Sequence, residues 1–565
     1  MRELVADVLI VGAGMGGFPA ALAAATLGSS VILSEEADWL GGEVSNQGVP
    51  FDDHQYVETV PGSASYANFR QRLRDYYRRN YPMTAASRDD PHLNPGMGFV
   101  SGLCVEPRVC HDVMTEMLSP HLASGRIRLL MHHRVVGALM DRDTVKSVRF
   151  KDAESGTEVL VAAKVVLDAT DLGEVLEAAK VEHVIGAESQ DDTGEKHALP
   201  GPPNPLDQQA ITWVFAIDWS PKTENVIERP GTYDRWRNYR PKFPWPGPLF
   251  DYRDGFIGHL QPLISAGEPR PQGLGTGAQV STTERYRPFL AGAMSDAVVT
   301  DWWHYRRCVY SEHFAHGAFS SDVTLMNTVQ HSYWELPLLG VDDATRERAL
   351  REAQELSLSF LYWLQTEAPR HDKGQGYPEV RLRDDVFGTQ HGLAKQVYIR
   401  EGRRILPVFR ITESHFSAED RPETEHYADS VGIGSYRIEL HPSTAARAYI
   451  SLAAHPFEIA LGALLPVRVN NLIAAGKTMG TTHIANGAYR LHPTEWSVGV
   501  AAGALAAFCE KKKLQPKQVR EVAKLLEEFQ SILRRNFKVP LRWPVYEARR
   551  GPLPHPTPPT PWWKA

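Results

Sequence analysis

The first 35 residues alternate between apolar runs and breaks made of small or polar residues. Residues 4–11 form a β-prone apolar run that stops at the glycine-rich stretch 12–17. An Ala- and Leu-rich stretch follows through Leu27, and a second apolar run over 30–33 leads to the acid Glu35. This order predicts a strand, a glycine turn, a helix, a second strand and a terminal acid.

Each part of this unit suits one feature of an adenine dinucleotide. Gly12 permits a tight turn, Gly14 lets a pyrophosphate approach the backbone, and Gly17 lets the helix pack closely on the strand. The N-terminus of the helix favours anions because its first N–H groups lack partners within the helix. Glu35 can accept hydrogen bonds from a ribose diol, which disfavours the 2′-phosphate of NADP and leaves FAD and NAD. The residues assigned to cofactor contact are Gly12, Gly14, Met15, Gly16, Gly17 and Glu35. The alternative is a glycine turn in an ordinary βαβ unit.

Later hydrophobic patterns predict further elements. Helical spacing of apolar residues recurs in three segments: 106–122, 343–364 and 517–535. Three short apolar runs fit a β-meander: 127–131, 135–139 and 145–150. A strand over 164–168 should lead into an Asp-Ala-Thr turn, and a strand near 471–475 should end at Gly476. A helix is expected from Pro493 onward, because proline favours the first helical turn.

Composition narrows the class of protein. The chain has 565 residues, 42% of them hydrophobic and 23% charged, as in an ordinary globular protein large enough for two domains. The net charge of −7 gives no sign of binding to nucleic acid or to an anionic membrane. No run of about 18 apolar residues predicts a membrane span. The first strand starts directly after residues 1–3, so we expect no signal peptide and a cytoplasmic location. The four cysteines have no metal-binding spacing, and we expect no metal.

Several motifs together carry a family resemblance. They are Trp39-Leu40-Gly41-Gly42, Asp168-Ala169-Thr170, Tyr398-Ile399-Arg400-Glu401 and the segment 475–507, in addition to the opening glycine turn. With them the chain resembles the FAD-dependent oxidoreductases of the glutathione-reductase-like superfamily, and is most similar to their fumarate-reductase-like flavoprotein branch. The resemblance implies an α/β fold: a Rossmann-type FAD-binding domain, with a parallel sheet and an inserted β-meander, plus a mixed α+β substrate or cap domain. It implies FAD and says nothing about the substrate.

The same resemblance implies where the cofactor lies. Gly41 and Gly42 would lie against the pyrophosphate or ribityl region, and the loop with Ser45, Gln47 and Gly48 would run along the isoalloxazine. The remaining implied contacts are Val135 to adenine, Ala169 and Thr170 to the adenosine half, Gly476 to the pyrophosphate, and the helix with Ser497 and Val498 to the flavin N1/O2 edge. A helix N-terminus suits this edge because reduced flavin is anionic there. Residues 43–48 contain no His or Cys, so we expect non-covalent FAD, although His54 lies a little beyond.

The chain divides into four predicted parts. They are the first part of the FAD-binding domain (1–195), a substrate or cap domain (196–460), the returning part of the FAD-binding domain (461–512), and a C-terminal helix with a Pro-rich tail (513–565). Two further glycine-rich segments, 273–277 and 432–434, lack the strand–turn–helix context and are interpreted as turns. We therefore expect no second nucleotide domain. The substrate would reduce the flavin, and oxygen, a quinone or a carrier would reoxidise it; the sequence leaves that acceptor and the oligomeric state open.

Segment 480–492 supplies the candidate catalytic residues. It lies between two pieces expected to contact the cofactor, and its density of polar residues would be unusual in a core. His483 and His492 are candidate bases because imidazole titrates near neutral pH. Arg490 could bind a substrate carboxylate or stabilise an oxyanion, and Asn486 could orient the substrate. The alternatives are structural hydrogen bonds or a flavin-positioning role for the histidines, and a salt bridge for Arg490.

A second polar cluster lies in the predicted cap. Its members are Tyr398, Arg400, Glu401, Arg403, Arg404, Tyr436, Arg437 and His441. An interdomain ion-pair network is the favoured interpretation of its Arg/Glu part, while His441 could reach the pocket. Trp213, His331 and Trp334 could form aromatic walls, although core packing suits the tryptophans better.

These features support one hypothesis: a flavoenzyme that dehydrogenates a hydroxylated or carboxylated small molecule by hydride transfer to flavin N5. Three alternatives stay open. The enzyme could work in the opposite direction as a fumarate-reductase-like reductase, it could be a flavin monooxygenase, or the protein could be a flavin-binding scaffold without catalysis.

Overall fold

The computed structural model describes residues 2–54, 56–98, 100–241, 247–250, 302–369, 374–447 and 450–544. The strands of this part are β1 (Arg2–Val11), β2 (Val31–Ser34), β3 (Ile127–Leu130), β4 (His133–Asp141), β5 (Thr144–Asp152), β6 (Glu158–Asp168), β7 (His183–Val184), β8 (Ile211–Thr212), β9 (Phe215–Trp219), β10 (Arg307–Val309), β11 (Val323–Met326), β12 (Ser332–Tyr333), β13 (Val380–Leu382), β14 (Arg404–Ile405), β15 (Ser430–Gly434), β16 (Ile438–Leu440), β17 (Ile450–Leu452), β18 (Phe457–Ala460) and β19 (Leu472–Ala474). The helices are α1 (Gly17–Thr26), α2 (Ala64–Asn80), α3 (Ala85–Asp89), α4 (Pro107–Ala123), α5 (Glu174–Ala178), α6 (Gln190–Thr193), α7 (Tyr233–Asn238), α8 (Trp302–Tyr305), α9 (Asp343–Thr366), α10 (His483–Tyr489), α11 (His492–Lys512), α12 (Pro516–Glu521) and α13 (Ala523–Phe537).

A seven-stranded sheet organises the fold in the order β3-β2-β1-β6-β5-β4, with β19 beside β6. Strands β1, β2, β3, β6 and β19 are parallel, as a Rossmann-type unit requires. Strand β6 pairs with β1 along its whole length, while its other edge is shared by β5 at the beginning and β19 at the end. The α/β fold class is therefore confirmed. The carboxyl ends of the parallel strands all lie at one edge of the sheet.

The β-meander has a different membership from the one predicted. Strands β4, β5 and the first half of β6 form it, as antiparallel neighbours. The first predicted member, over 127–131, is instead β3, which pairs in parallel with β2 at the far edge of the sheet. The prediction was wrong because an apolar run identifies a strand but does not distinguish a parallel partner from an antiparallel one.

Helices α1 and α11 cross with their backbones in contact. A Cβ atom on Gly499 would lie 2.0 Å from the carbonyl oxygen of Gly16, and one on Gly503 would lie 2.1 Å from that of Ala20. Only glycine at these two positions, one helical turn apart, permits so close an approach. The crossing fixes the first turns of α11 next to the glycine turn that opens the chain.

A second hydrophobic core lies within the predicted cap region. Its buried members come from residues between Ala210 and Ile399, and several pack on the long helix α9. A four-stranded antiparallel sheet in the order β10-β11-β9-β13 accompanies it. Trp213 and Trp334 belong to this core. The buried imidazole of His331 stacks on Phe360, a member of the core, with ring centroids 5.2 Å apart. The domain limits at 195, 460 and 512 stay a prediction.

Three other local predictions need correction. The helix predicted over 517–535 is two helices, α12 and α13, because the backbone of Val522 is extended at φ −105° and ψ 106°. The 17-residue helix α2 was not predicted from the sequence, because its segment is polar overall, yet Phe69, Leu73 and Tyr77 on it are buried. Gly432 and Gly434 are in strand β15 and not in a turn. Gly434 is needed there because a Cβ would come within 2.4 Å of both Phe457 and Thr494.

Two predicted features, the glycine-rich segment 273–277 and the tail from residue 551, lie outside the described residues. Within the described part, helices with the length and apolar character needed to cross a bilayer are absent. The same part contains no cluster of three or more His, Cys, Asp or Glu residues arranged to hold a metal ion.

Candidate active site

The candidate site begins where the parallel strands β1, β6 and β19 end. Their hydrogen bonding continues into the turns that follow, since Ala169 N donates to Val11 O at 2.8 Å and Ala475 N donates to Asp168 O at 2.9 Å. The turns with Gly12, Ala169 and Gly476 therefore lie side by side. Gly12 has φ +91°, and a Cβ on it would lie 2.5 Å from the carbonyl oxygen of Ala169.

The glycines of the opening turn differ in what surrounds them. A Cβ on Gly16 would lie 1.9 Å from Ala475 O, and a Cβ on Gly17 would lie 1.8 Å from Gly12 O. Both glycines are thus required by packing. At Gly14 the nearest atom to such a Cβ is the Cα of Gly42, at an ordinary 3.8 Å. Gly14 therefore borders open space, as a backbone cradle for a pyrophosphate requires.

Glu35 is held next to this turn by backbone hydrogen bonds. Ala13 N donates to one carboxylate oxygen at 2.9 Å, and Ala37 N donates to the other at 3.0 Å. Burial raises the pKa of Glu35 to about 7, with only partial compensation from these bonds. Strand β4, which carries Val135, starts beside it, because His133 N donates to Glu35 O at 2.9 Å. A ribose contact of Glu35 and an adenine contact of Val135 stay predictions.

The loop over 41–48 folds back onto the glycine turn. Gly41 and Gly42 have φ +114° and +55°, and Gly41 N donates to Ala13 O at 2.9 Å. A Cβ on Gly42 would lie 2.9 Å from the Cα of Gly14. Within the loop, Ser45 Oγ donates to Leu40 O at 2.6 Å. The two glycine motifs of the sequence are thus neighbours in space.

A buried network of charges ties this loop to the rest of the site. Lys477 Nζ donates to Asp171 at 2.6 Å and to the carbonyl oxygen of Ile399 at 2.9 Å, and it forms an ion pair with Glu43. Gln47 also donates to Asp171, at 2.6 Å. Burial alone would raise the pKa of Glu43, but Lys477 and His492 outweigh it and lower the pKa to about 2. Glu43, Asp171 and Lys477 were not predicted from the sequence, although Glu43 directly follows one glycine motif and Lys477 directly follows Gly476.

The two candidate bases both have protein partners. His492 Nδ1 accepts a hydrogen bond from Asp52 N at 2.9 Å, and its Nε2 lies 2.8 Å from a carboxylate oxygen of Glu43. Nε2 is therefore the ring nitrogen that can donate to Glu43. His483 Nδ1 lies 2.8 Å from Glu401, whose pKa is about 2 because the neighbouring His483 outweighs the effect of burial.

Arg490 and Asn486 lie on the same buried segment. Arg490 Nη1 donates to the hydroxyl of Tyr398 at 2.7 Å, and Asn486 Nδ2 donates to Arg400 O at 3.2 Å. The guanidinium of Arg400 lies 4.4 Å from the centre of the Tyr398 ring. Burial raises the pKa of Tyr398, an effect that Arg490 opposes. The structure therefore brings together Arg490, Asn486, Tyr398 and Arg400, which the sequence placed in two separate clusters.

Further charged residues surround this group. Arg306, which was not predicted from the sequence, has its Nη1 3.9 Å from Asp52. Burial raises the pKa of the Asp52 carboxyl group. Burial and the nearby charge of Arg400 lower the pKa of His441 to about 3. Arg306 directly follows helix α8, and no motif in the sequence connects it with Arg490.

The helix predicted to face the flavin begins at His492. The hydroxyl of Ser497 donates to Pro493 O at 2.9 Å within the helix, and Val498 is fully buried. Burial raises the pKa of Glu495 in the first turn to about 8. A Cβ on Gly476 would lie 2.7 Å from the Glu495 carboxylate, so the helix start contacts the turn after β19.

Comparison with known proteins gives one family match. Residues 7–533 match the family model described as "FAD dependent oxidoreductase". Among solved structures, a quinol fumarate reductase mutant from E. coli is 14% identical at a TM-score of 0.31, with 95% of this chain and 74% of that chain covered. The flavin-dependent monooxygenase PieE, in complex with FAD and substrate, is 14% identical at 0.25, with 39% and 36% covered. L-proline dehydrogenase from P. horikoshii is 15% identical at 0.17, with 34% and 26% covered. The chain thus spans only about a third of the monooxygenase and a quarter of the dehydrogenase. None of the curated proteins matches it.

Proposed function

Because the chain belongs to the family of FAD-dependent oxidoreductases, we propose that it dehydrogenates a polar small molecule, hydroxylated or carboxylated, over a non-covalently bound FAD. Bound FAD supplies the hydride acceptor, atom N5 of its ring system. The protein has to hold the substrate against that ring, take up the proton that is released and keep bulk water away.

One observation supports this proposal most directly. Segment 480–492 carries the polar residues, and it contacts the loop over 41–52 through His492, Glu43 and Asp52. The candidate substrate-binding side chains and the candidate flavin-facing loop are therefore adjacent. The open space at Gly14 fits the diphosphate of the same cofactor, which would lie against the two adjoining glycine motifs.

The geometry suggests a division of roles among His483, Arg490, His492 and Asn486. We assign substrate contact to Arg490, because its guanidinium is buried and bound to Tyr398 without a carboxylate partner in the described part of the chain. His492 and His483 act as positioning residues, since their ring nitrogens lie against Glu43, Asp52 N and Glu401. Asn486 orients the Arg400 segment through its hydrogen bond to the carbonyl oxygen.

The test is anaerobic mixing of the FAD-loaded protein with a panel of hydroxy acids, amino acids and polyols. We expect one class to bleach the flavin absorbance. Arg490→Gln should retain FAD at equal stoichiometry but bleach more slowly by about 10²–10³-fold, as for loss of one group that stabilises developing charge. Arg351→Gln, on the exposed face of α9, is the matched control and should behave like the wild type.

The possible outcomes separate the alternatives. Protein that binds no FAD, even when refolded with it, contradicts the proposal. Bound flavin that no compound reduces favours a scaffold. Turnover that needs reduced flavin and oxygen, with a C4a-hydroperoxide spectrum, indicates a monooxygenase and also overturns the dehydrogenase assignment.

A further inference from the structure

Four arginines from distant parts of the chain lie close enough to act on the same neighbours. Arg306 and Arg490 both act on Arg400, and Arg306 and Arg437 both act on Tyr305. We call Arg306, Arg400, Arg437 and Arg490 the arginine pocket. Arg400 and Arg490 are 2% and 3% exposed, whereas Arg306 keeps 14% of its side chain exposed. The pocket is thus deep in the protein but still reached by solvent. The segment that carries Tyr398 and Arg400 is also tied to the loop over 41–48, because Ile399 N donates to Gln47 at 3.2 Å.

These arginines differ from the other buried arginines in their partners. Arg70 and Arg404 each have a carboxylate oxygen at 2.5 and 3.1 Å. Among the described residues, Arg490 donates to the Tyr398 hydroxyl and, at 3.5 Å, to Glu439 O, whereas Arg400 donates to Ala210 O and Thr212 Oγ1. The carboxylate closest to the guanidinium of Arg306 belongs to Asp52, at 3.9 Å. In the part of the chain that the structure describes, Nε of all four arginines and Nη1 of Arg306 have no hydrogen-bond acceptor.

The charges around the pocket do not balance. In the described part of the chain, Asp52 acts on Arg306, and Glu43, Glu439 and Asp52 act on Arg490. Glu43 is nearby, but it pairs with Lys477. His441 is neutral at pH 7 because burial and Arg400 hold its pKa at about 3. Among the described residues, four guanidinium groups therefore face three carboxylates, one of which is shared with Lys477, so the arginines outnumber the carboxylates.

A buried charge without a counter-ion is costly, typically by several kcal/mol. Hydrogen-bond donors left without acceptors add to that cost. The cost is recovered when a ligand supplies both the negative charge and the acceptor atoms. Arginine forks match the two oxygens of a carboxylate or phosphate group, whereas a neutral hydroxyl offers no compensating charge.

We infer that the arginine pocket binds an oxyanion group of the substrate, a carboxylate or a phosphate ester, and that neutral hydroxylated compounds are not substrates. This inference rests on the proposed function and narrows its substrate class. The oxyanion lies between Arg306 and Arg490, with the hydroxyl of Tyr398 as a further donor. Arg400 and Arg437 contribute positive charge from a greater distance. The carbon to be oxidised extends toward the loop over 41–52.

Calorimetry on the FAD-loaded protein tests the inference with inorganic phosphate, acetate and malonate as probes. Acetamide, the neutral analogue of acetate, is the control ligand, and sodium chloride keeps the ionic strength constant. We expect saturable binding of at least one anion and none of acetamide. Arg306→Gln should weaken anion binding by about tenfold or more, since a hydrogen bond to a charged group contributes about 1.5–3 kcal/mol. Arg306→Lys should retain part of the affinity, and Arg351→Gln should retain all of it.

The different probe ligands and variants give distinct answers. Tighter binding of phosphate indicates a phosphate ester, and tighter binding of acetate or malonate indicates a carboxylate. Equal affinity of acetamide and acetate, or equal anion affinity of Arg306→Gln and wild type, would overturn the inference. Flavin content is measured on the same samples. Loss of anion binding with FAD bound and reducible refutes only the arginine pocket, whereas absence of FAD refutes the proposed function itself.

Discussion

At the scale of single residues, two glycines of the opening turn have different surroundings. Gly16 faces the carbonyl oxygen of Ala475, which cannot move without disturbing β19. Gly14 faces open space, with the nearest atom to an added Cβ at 3.8 Å. Two neighbouring Gly→Ala substitutions should therefore fail in different ways.

We expect Gly16→Ala to destabilise the fold by about 1–3 kcal/mol, because its methyl group would overpack the core. Gly14→Ala should leave the unfolding free energy within about 0.5 kcal/mol of wild type, as for a substitution that meets no neighbour. Gly14→Ala should nevertheless weaken FAD binding. The loss of FAD affinity, compared with the loss of stability, should be larger for Gly14→Ala than for Gly16→Ala. Denaturant unfolding without added FAD and a fluorescence titration with FAD measure the two quantities. A Gly14→Ala variant with wild-type FAD affinity would show that the phosphates lie elsewhere.

The ion pair of Glu43 and Lys477 should give a pH-dependent stability. The pKa of Glu43 is lowered from 4.5 to about 2 in the folded protein. Its contribution is therefore fully present above pH 4.5 and is lost as the pH falls toward 2. Lys477→Met should cost about 3–5 kcal/mol at pH 7, because it leaves a buried carboxylate uncompensated.

The informative quantity is the difference in unfolding free energy between wild type and Lys477→Met as a function of pH. It should shrink as the pH falls below 4.5, since a protonated Glu43 no longer needs the cation. Lys512→Met, which removes an exposed pair with Glu528, should cost at most about 1 kcal/mol at any of these pH values. A pH-independent loss for Lys477→Met would mean that packing, not charge, explains its effect.

Side-chain partners explain why the candidate site was only partly predictable. Segment 480–492 stands out in the sequence because it is polar between two apolar elements, and the structure places it beside the predicted flavin-facing loop. The environment of His492 depends on Glu43 and Asp52, which are more than 400 positions away and have no motif linking them to it. Arg306 approaches Asp52 only through the tertiary fold.

At the scale of elements, hydrophobic periodicity predicted well that an element exists and whether it is a helix or a strand. It predicted less well where a helix is interrupted and which strands pair. Helices α4, α9 and α11 and strand β19 lie close to their predicted limits, because long periodic patterns and a proline or glycine mark their ends. Strand β3 was assigned to the wrong neighbour, since register and direction depend on residues far away in sequence. The closing helix was predicted as one element because its apolar spacing runs on through Val522.

Val522 offers a direct test at this scale. It occupies the N-cap position of α13, its side chain accepts no hydrogen bond, and the residue is 47% exposed. Val522→Asp should supply the missing acceptor and raise the unfolding free energy by about 0.5–1 kcal/mol, as good N-caps do. Val522→Ala removes the same branched side chain without adding an acceptor and should bring no such gain. If thermal unfolding shows Val522→Asp to be no more stable than Val522→Ala, the break does not behave as a helix start in solution.

At the scale of the whole molecule, the first 35 residues and the segment 472–512 meet in one sheet and one pair of crossed helices. Strand β6 lies between β1 and β19, and α11 packs on α1 through Gly499 and Gly503. The glycine turn, the loop over 41–48 and the start of α11 therefore surround the same space. A cofactor in that space would connect segments that are separated by more than 400 residues.

Binding of FAD should consequently stabilise these segments together. At a free concentration 100 times Kd, a ligand that binds only the folded state contributes about 2.7 kcal/mol. In a hydrogen-exchange experiment, we expect FAD to slow amide exchange to a similar extent in peptides covering 9–27, 41–48 and 472–498. The reason is that one bound ligand stabilises all three segments against local unfolding. Helix α9, in the second core, should change little and serves as the internal reference. Protection confined to the N-terminal peptides would show that the α11 end does not contact the cofactor, and the placement of Arg490 near the reacting carbon would then have no support.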